Sequence, residues 1–220
     1  MMIKRIALIT LMLTLLVTAF GVSPRTALAA DNTWHYSSSG KGAEAYFTTC
    51  YDWPAPNKVC TDTGVWVGEF VYKEDGTKYP STTMSFYQTQ YKYDRKGNWI
   101  WISDIWGYGE ATFSIDNKLT SATASGDMLL TTCTPGRRGE VNCTEGGTIT
   151  LSASWTGVGD LVRSNSNSRT ISKGYKYNSH YSGTYRDASA QVSGMEPGVQ
   201  YWATLYNSKW MDVYISHGGY

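Results

Sequence analysis

The sequence predicts an all-β protein, a single antiparallel β-sandwich or barrel of about ten strands with two disulfide-clipped loops. Three observations carry that prediction. Past the first thirty residues, no segment keeps apolar side chains at i, i+3, i+4 and i+7 for three helical turns. Alternation with period two recurs instead, broken by Gly, Asn, Asp and Pro. The four cysteines fall into two local pairs, Cys50 with Cys60 and Cys133 with Cys143, where one extended stretch gives way to the next.

The N-terminus reads as a signal peptide over residues 1–29. Lys4 and Arg5 precede an apolar run from Ile6 to Phe20, and Ala27 and Ala29 supply the small residues of a cleavage site. Residues 30–220 then form one domain, secreted to the extracellular side. Without Lys4, Arg5 and Arg25, the formal net charge of +1 becomes slightly negative. A nearly neutral chain, expected to carry no basic stripe, lacks the footprint of a nucleic-acid binder, and that class is set aside.

Extended segments follow in order. "GVWVGEFVYKEDGTKY" is a strand running into Asp75-Gly76, a strong hairpin signal. "TTMSFYQTQYKY" and "WIWISDIW" form a second hairpin around "DRKGN", and "GEATFSIDNKLTSATASG" a third around Asp116-Asn117. "GGTITLSASW" is another strand. "QYWATLYNSKWMDVYISHG" is expected to hold two strands, separated at Asn207-Ser208.

An oxidising destination permits disulfides, and local pairing of Cys50 with Cys60 and of Cys133 with Cys143 fits best among three connectivities; the cross-paired ones stay open. Closing so short a loop contributes about 2–3 kcal/mol. Both loops obey one formula, T-T-C and, ten positions on, C-T. Aligning the cysteines lays "GAEAYFTTC" over "SGDMLLTTC" and Glu44 over Asp127, which suggests an internal duplication.

Candidate ligand-binding residues are aromatic. Trp53 stands on the first clipped loop, stiffened by Pro54 and Pro56. In "GYKYNSHYSGTYRD", Tyr175, Tyr177, Tyr181 and Tyr185 fall on one face of an extended strand, a flat platform of the kind that stacks on sugar rings. The same spacing also suits an ordinary packed face. Trp99, Trp101 and Ile105 alternate and are expected to build core.

Candidate catalytic residues, should the protein be an enzyme, are Glu69 and Asp104. Each shares strand parity with apolar neighbours, and paired carboxylates on adjacent strands are the glycosidase arrangement. No metal site and no cofactor is expected from the sequence, which holds no H-E-x-x-H, G-x-S-x-G or phosphate-loop pattern.

The leading expectation is a secreted binding module recognising polysaccharide through exposed aromatics, with the balance against an enzyme. The alternatives are an extracellular structural or protein-interaction protein and a glycoside hydrolase or lyase. The expected partner is polysaccharide or an extracellular protein. Membrane insertion is not expected, although the run from Ser164 to Tyr185 alternates enough to form a barrel hairpin.

Overall fold

The computed structural model describes residues 33–51, 55–172 and 174–216. The signal-peptide segment and Trp53 lie outside the described residues. Nine strands follow in sequence: β1 (Thr33–Thr48), β2 (Val59–Glu74), β3 (Thr77–Tyr93), β4 (Trp99–Ile115), β5 (Ser121–Pro135), β6 (Val141–Gly157), β7 (Val162–Ser172), β8 (Tyr175–Ser193) and β9 (Val199–Ser216).

All pairings are antiparallel, in the order β6-β5-β4-β3-β2-β1-β9-β8-β7. A further pairing of β6 with β8 closes the sheet into a barrel. β6 lies against residues 188–193 of β8 and β7 against residues 175–185. The two therefore run in line, as one long strand broken at residues 158–161, and the barrel has eight staves in up-and-down order.

Local chemistry explains most of the turns. Asp75 and Gly76 both take positive φ, 44° and 94°, the type I′ geometry whose twist suits a hairpin. Asp94 accepts backbone N–H bonds from Lys96 and Asn98 at 2.8 Å, which organises the β3–β4 turn. Asn207-Ser208 does not turn. Here β9 is continuous, with Gly40 and Lys41 of β1 on one side and Gly183 and Thr184 of β8 on the other. Ladder hydrogen bonds on both edges override the local turn preference, so this segment is one strand where two were expected.

The barrel interior is apolar and close-packed. Ala43, Ala45, Val65, Val67, Met84, Met128, Leu151, Trp155, Ala203 and Leu205 are buried in one cluster fed by most of the staves. Alanines on β1, β5, β8 and β9 leave room in a narrow lumen for the few large side chains. The outer face of β5 and β6 carries Ser125, Asp127, Thr131, Thr150 and Ser152. Leu129 stands exposed among these polar side chains. No helix among the described residues is long and apolar enough to cross a membrane.

Both local disulfides are present, Cys50–Cys60 with Cα atoms 5.4 Å apart and Cys133–Cys143 with Cα atoms 4.1 Å apart. They close the β1–β2 and β5–β6 connections at the same end of the barrel, here the upper end. In the closed ring, β3 and β4 separate these hairpins on one side and β8 and β9 on the other. The clipped loops thus face each other across the upper rim instead of lying side by side.

At the lower end, β1, β2, β9, β8 and β7 continue past the core as a broad blade, with the start of β3 at its edge. The blade has an inner face continuous with the lumen and an outer face. These two faces position the chemistry below.

Candidate functional site

The outer face of the blade is aromatic. Register places Trp34 (β1), Tyr214 (β9) and Tyr177 (β8) in one cross-strand row. Four residues further along, Tyr72 (β2), Ser38 (β1), Trp210 (β9) and Tyr181 (β8) form a second row. Gly42, Tyr206 and Tyr185 form a third. Rows four residues apart are separated by about 14 Å. Between them lie rows in which most side chains are short or acidic: Glu74, Asp212 and Ser179 with Tyr36, then Gly40, Ser208 and Gly183 with Phe70.

The rings pack on one another. Tyr175 stacks on Tyr214 with centroids 5.6 Å apart, Trp34 stacks on Tyr36 at 5.6 Å, and Tyr181 meets Trp210 edge-on at 5.9 Å. Glycine makes the face flat. A Cβ on Gly42 would come within 2.5 Å of the Tyr206 ring, so that ring lies down along the sheet over its cross-strand partner. Gly183 gives the Tyr181 hydroxyl the same room.

Carboxylates fix the indoles. Trp34 Nε1 donates to Glu74 Oε1 at 2.8 Å, and Trp210 Nε1 donates to Asp212. Burial raises the phenol pKa values of Tyr36, Tyr177 and Tyr181, and pushes that of Tyr72 up to about 12. These phenols stay protonated at neutral pH and can both donate and accept hydrogen bonds. The acids of this face are Glu44, Glu74, Asp187 and Asp212, and among its described residues it carries no Lys or Arg.

The structure thus brings Tyr175, Tyr177, Tyr181 and Tyr185 onto one face, outside the core cluster. It adds Trp34, Tyr36, Tyr206, Trp210 and Tyr214, which sequence reasoning missed. A signal was present: Trp202, Tyr206, Trp210 and Tyr214 recur every fourth residue, so all share one face of a single long strand, and the expected break at Asn207-Ser208 concealed it.

Glu69 and Asp104 are not brought together. Glu69 points to the inner face and is exposed, because β2 has left the core by that point. Asp104 lies on the outer face, level with Thr89 of β3 and Asp62 of β2. Along β2 the two levels differ by seven residues, about 24 Å. A glycosidase pair needs about 5–9.5 Å and a common side. Asp104 Oδ1 is buried with no hydrogen-bond partner among the described residues. Trp99 and Trp101 do not build core either. Ile102 is an extra residue at a bulge opposite Gln90 and Tyr91, which turns both indoles to the outer face while Ile105 packs on the core.

The carboxyl whose pKa is raised among the described residues is Glu44, paired in register with Trp66 and Thr204. Burial raises its pKa to about 7, against a hydrogen bond with Tyr46 that lowers it. Beside it, Trp66 Nε1 donates to the Tyr206 hydroxyl. No group of three or more His, Cys, Asp or Glu among the described residues is placed to hold a metal ion.

No family model matches the chain, and no curated protein matches it. Among solved structures, the chain is similar to the enduracididine biosynthesis enzyme MppR complexed with the condensation product of pyruvate and imidazole 4-carboxaldehyde. That match has 8% identity over 91% of this chain and 94% of that one, at a TM-score of 0.27. A likeness at that level supports no inference about fold or chemistry.

Proposed function

We propose that this is a secreted, extracellular binding module that recognises polysaccharide on the outer face of the lower blade. The observation that carries the reading is the flat aromatic face itself. Tyr175, Tyr177, Tyr181, Trp210 and Tyr214 share one side of β8 and β9, and glycines let Tyr206 and Tyr181 lie along the sheet. Sugar rings present C–H faces that stack on such rings and hydroxyls that bond to the tyrosines, Glu74 and Asp212 in the rows between. A face preordered by stacking and indole–carboxylate bonds loses little entropy on binding. An all-acidic, lysine-free surface suits a neutral glycan rather than an acidic one.

The N-terminal apolar run and the two disulfides both fit export to an oxidising compartment. The matched T-T-C…C-T hairpins fit two copies of one ancestral unit, set on opposite sides of the ring.

Co-sedimentation of the mature protein with insoluble neutral polysaccharides tests the reading. Wild type is expected to sediment with at least one glycan, and Tyr181→Ala/Trp210→Ala to remain in solution with its fold intact by circular dichroism. Wild type that sediments with none, or a variant that sediments equally, would remove the aromatic face as the site. Concentration-dependent self-association in its place would favour the structural or protein-interaction alternative.

A further inference from the structure

The inner face of the same blade has the opposite character. Register assigns every described Lys and Arg of the blade to it. β7 and β8 contribute Arg163, Arg169 and Lys176, with Arg186 nearer the core. β9 contributes Lys209, β1 contributes Lys41, and the β2–β3 hairpin contributes Lys73 and Lys78. The acid among the strand residues of this face is Glu69. A chain close to neutral overall therefore builds one strongly basic surface, because its cations recur at matching positions on strands far apart in sequence.

Lys41 donates to Asn117 Oδ1 at 2.5 Å, but most of these cations have no partner among the described residues. Lys73, Lys78, Arg163, Arg169 and Lys209 are exposed and have no hydrogen bond or ion pair among the described residues. Lys73 and Lys78 stand directly opposite each other across the hairpin, an arrangement that destabilises a strand pair unless an anion screens it. Around Lys209 and Arg163 the surface sinks into a shallow depression of 180 Å³, lined also by Asn165, Ser182, Thr184 and Asn207. Lys209 and Arg163 sit two strands apart and two residues out of row, about 12 Å.

The surroundings select among polyanions. Single-stranded nucleic acid is held by aromatic stacking between phosphate contacts, and here every described Trp and Tyr ring of the blade strands lies on the other face, with His35 and His180 the rings on the basic side. An anionic bilayer is favoured by a contiguous apolar rim, whereas the exposed Val71, Ile171 and Met211 of this face stand on three different strands, and Asn, Ser and Thr line the depression between Arg163 and Lys209. Hydroxyls and amides between spaced cations match a chain bearing a negative group and free hydroxyls on each sugar. We infer that the inner face of the blade binds a linear acidic polysaccharide, one carrying carboxylate or sulfate groups. This site is separate from the aromatic face, and its test does not depend on that one.

The test measures retention of the mature protein on immobilised heparin and its affinity for soluble polygalacturonate, with a duplex DNA of equal charge as comparator. Wild type is expected to bind both glycans in a salt-sensitive way and at least tenfold more tightly than the DNA. Arg163→Glu/Lys209→Glu, and the milder Arg163→Gln/Lys209→Gln, should each weaken glycan binding at least tenfold at an unchanged melting temperature. Lys96→Glu in the β3–β4 turn should not, and Trp210→Ala on the aromatic face should leave acidic-glycan binding intact. Failure of the wild type to bind either glycan, equal affinity for DNA, or unchanged binding by the Gln pair would each overturn the assignment.

Discussion

Trp155 crosses the barrel interior from β6, and its Nε1–H donates to the Glu44 backbone carbonyl on β1 at 3.1 Å. The indole is 1% exposed and sits among the alanines that leave room for it. β6 and β1 stand three staves apart in the closed ring, so this one side chain ties together walls that share no ladder. Trp155→Phe keeps most of the apolar volume but leaves a buried carbonyl without its donor. The expected cost is about 2 kcal/mol, read as a lower denaturant midpoint at unchanged slope. A loss below about 0.5 kcal/mol would mean that the cross-brace is incidental.

Glu44 itself makes stability depend on pH. Its carboxyl titrates near 7 in the folded protein because burial disfavours the charge, against a reference value of 4.5. Below about pH 4.5 both states hold the proton and the group has no effect. Between about 4.5 and 7 the folded state retains a proton that the unfolded state has released, so stability falls as pH rises. Above about 7 the loss is complete, at about 3 kcal/mol if no other group compensates. Glu44→Gln should flatten this part of the profile and be more stable than wild type at pH 8. Parallel profiles from denaturant titrations across pH 4–8 would show that another group is responsible.

The two disulfides should act independently. Each closes a loop of the same length, and the hairpins sit on opposite sides of the upper rim. Replacing either pair by serine should cost about 2–3 kcal/mol, mainly by freeing the unfolded chain. Replacing both should cost the sum to within about 0.5 kcal/mol, as for distant sites. A shortfall much larger than that in a double-mutant cycle would point to coupling across the barrel mouth.

How much of this was legible follows from where each piece of information resides. The Asp75-Gly76 turn could be read because its backbone preference is local and nothing opposes it. The tyrosine face of β8 could be read because alternation within one strand suffices. Asn207-Ser208 misled because its turn preference competes with ladders on both edges, which only the tertiary pairing supplies. Ile102 misled because a single bulged residue exchanges the faces of Trp99 and Trp101 without altering composition. The environment of Glu44 is built by Trp66 and Tyr206 from strands on either side of β1, and the basic inner face exists only once six strands are in register. Nonlocal pairing carries the site; local pattern carries the fold class.

Leu119 offers a test in which two effects oppose each other. It lies in the β4–β5 turn with φ at +54°, yet it is 2% exposed and belongs to the core cluster at the lower mouth. The turn is held by Asp116, whose Oδ1 accepts the Thr120 N–H at 2.8 Å, and by the Leu119 N–H donating to the Asp116 carbonyl at 3.2 Å. A left-handed leucine costs about 1–2 kcal/mol that a glycine would not. Its burial and the cavity it fills are worth about 2–5 kcal/mol. Burial exceeds strain, so Leu119→Gly and Leu119→Ala should both destabilise the barrel. Alanine keeps only the Cβ of that packing but retains the unfavourable φ, so Leu119→Ala should be the less stable variant by about 1 kcal/mol. That inverts the usual order, in which glycine is the costlier replacement, and melting temperatures of the two variants decide it. An alanine variant more stable than the glycine variant would mean that the turn does not hold residue 119 in the left-handed region.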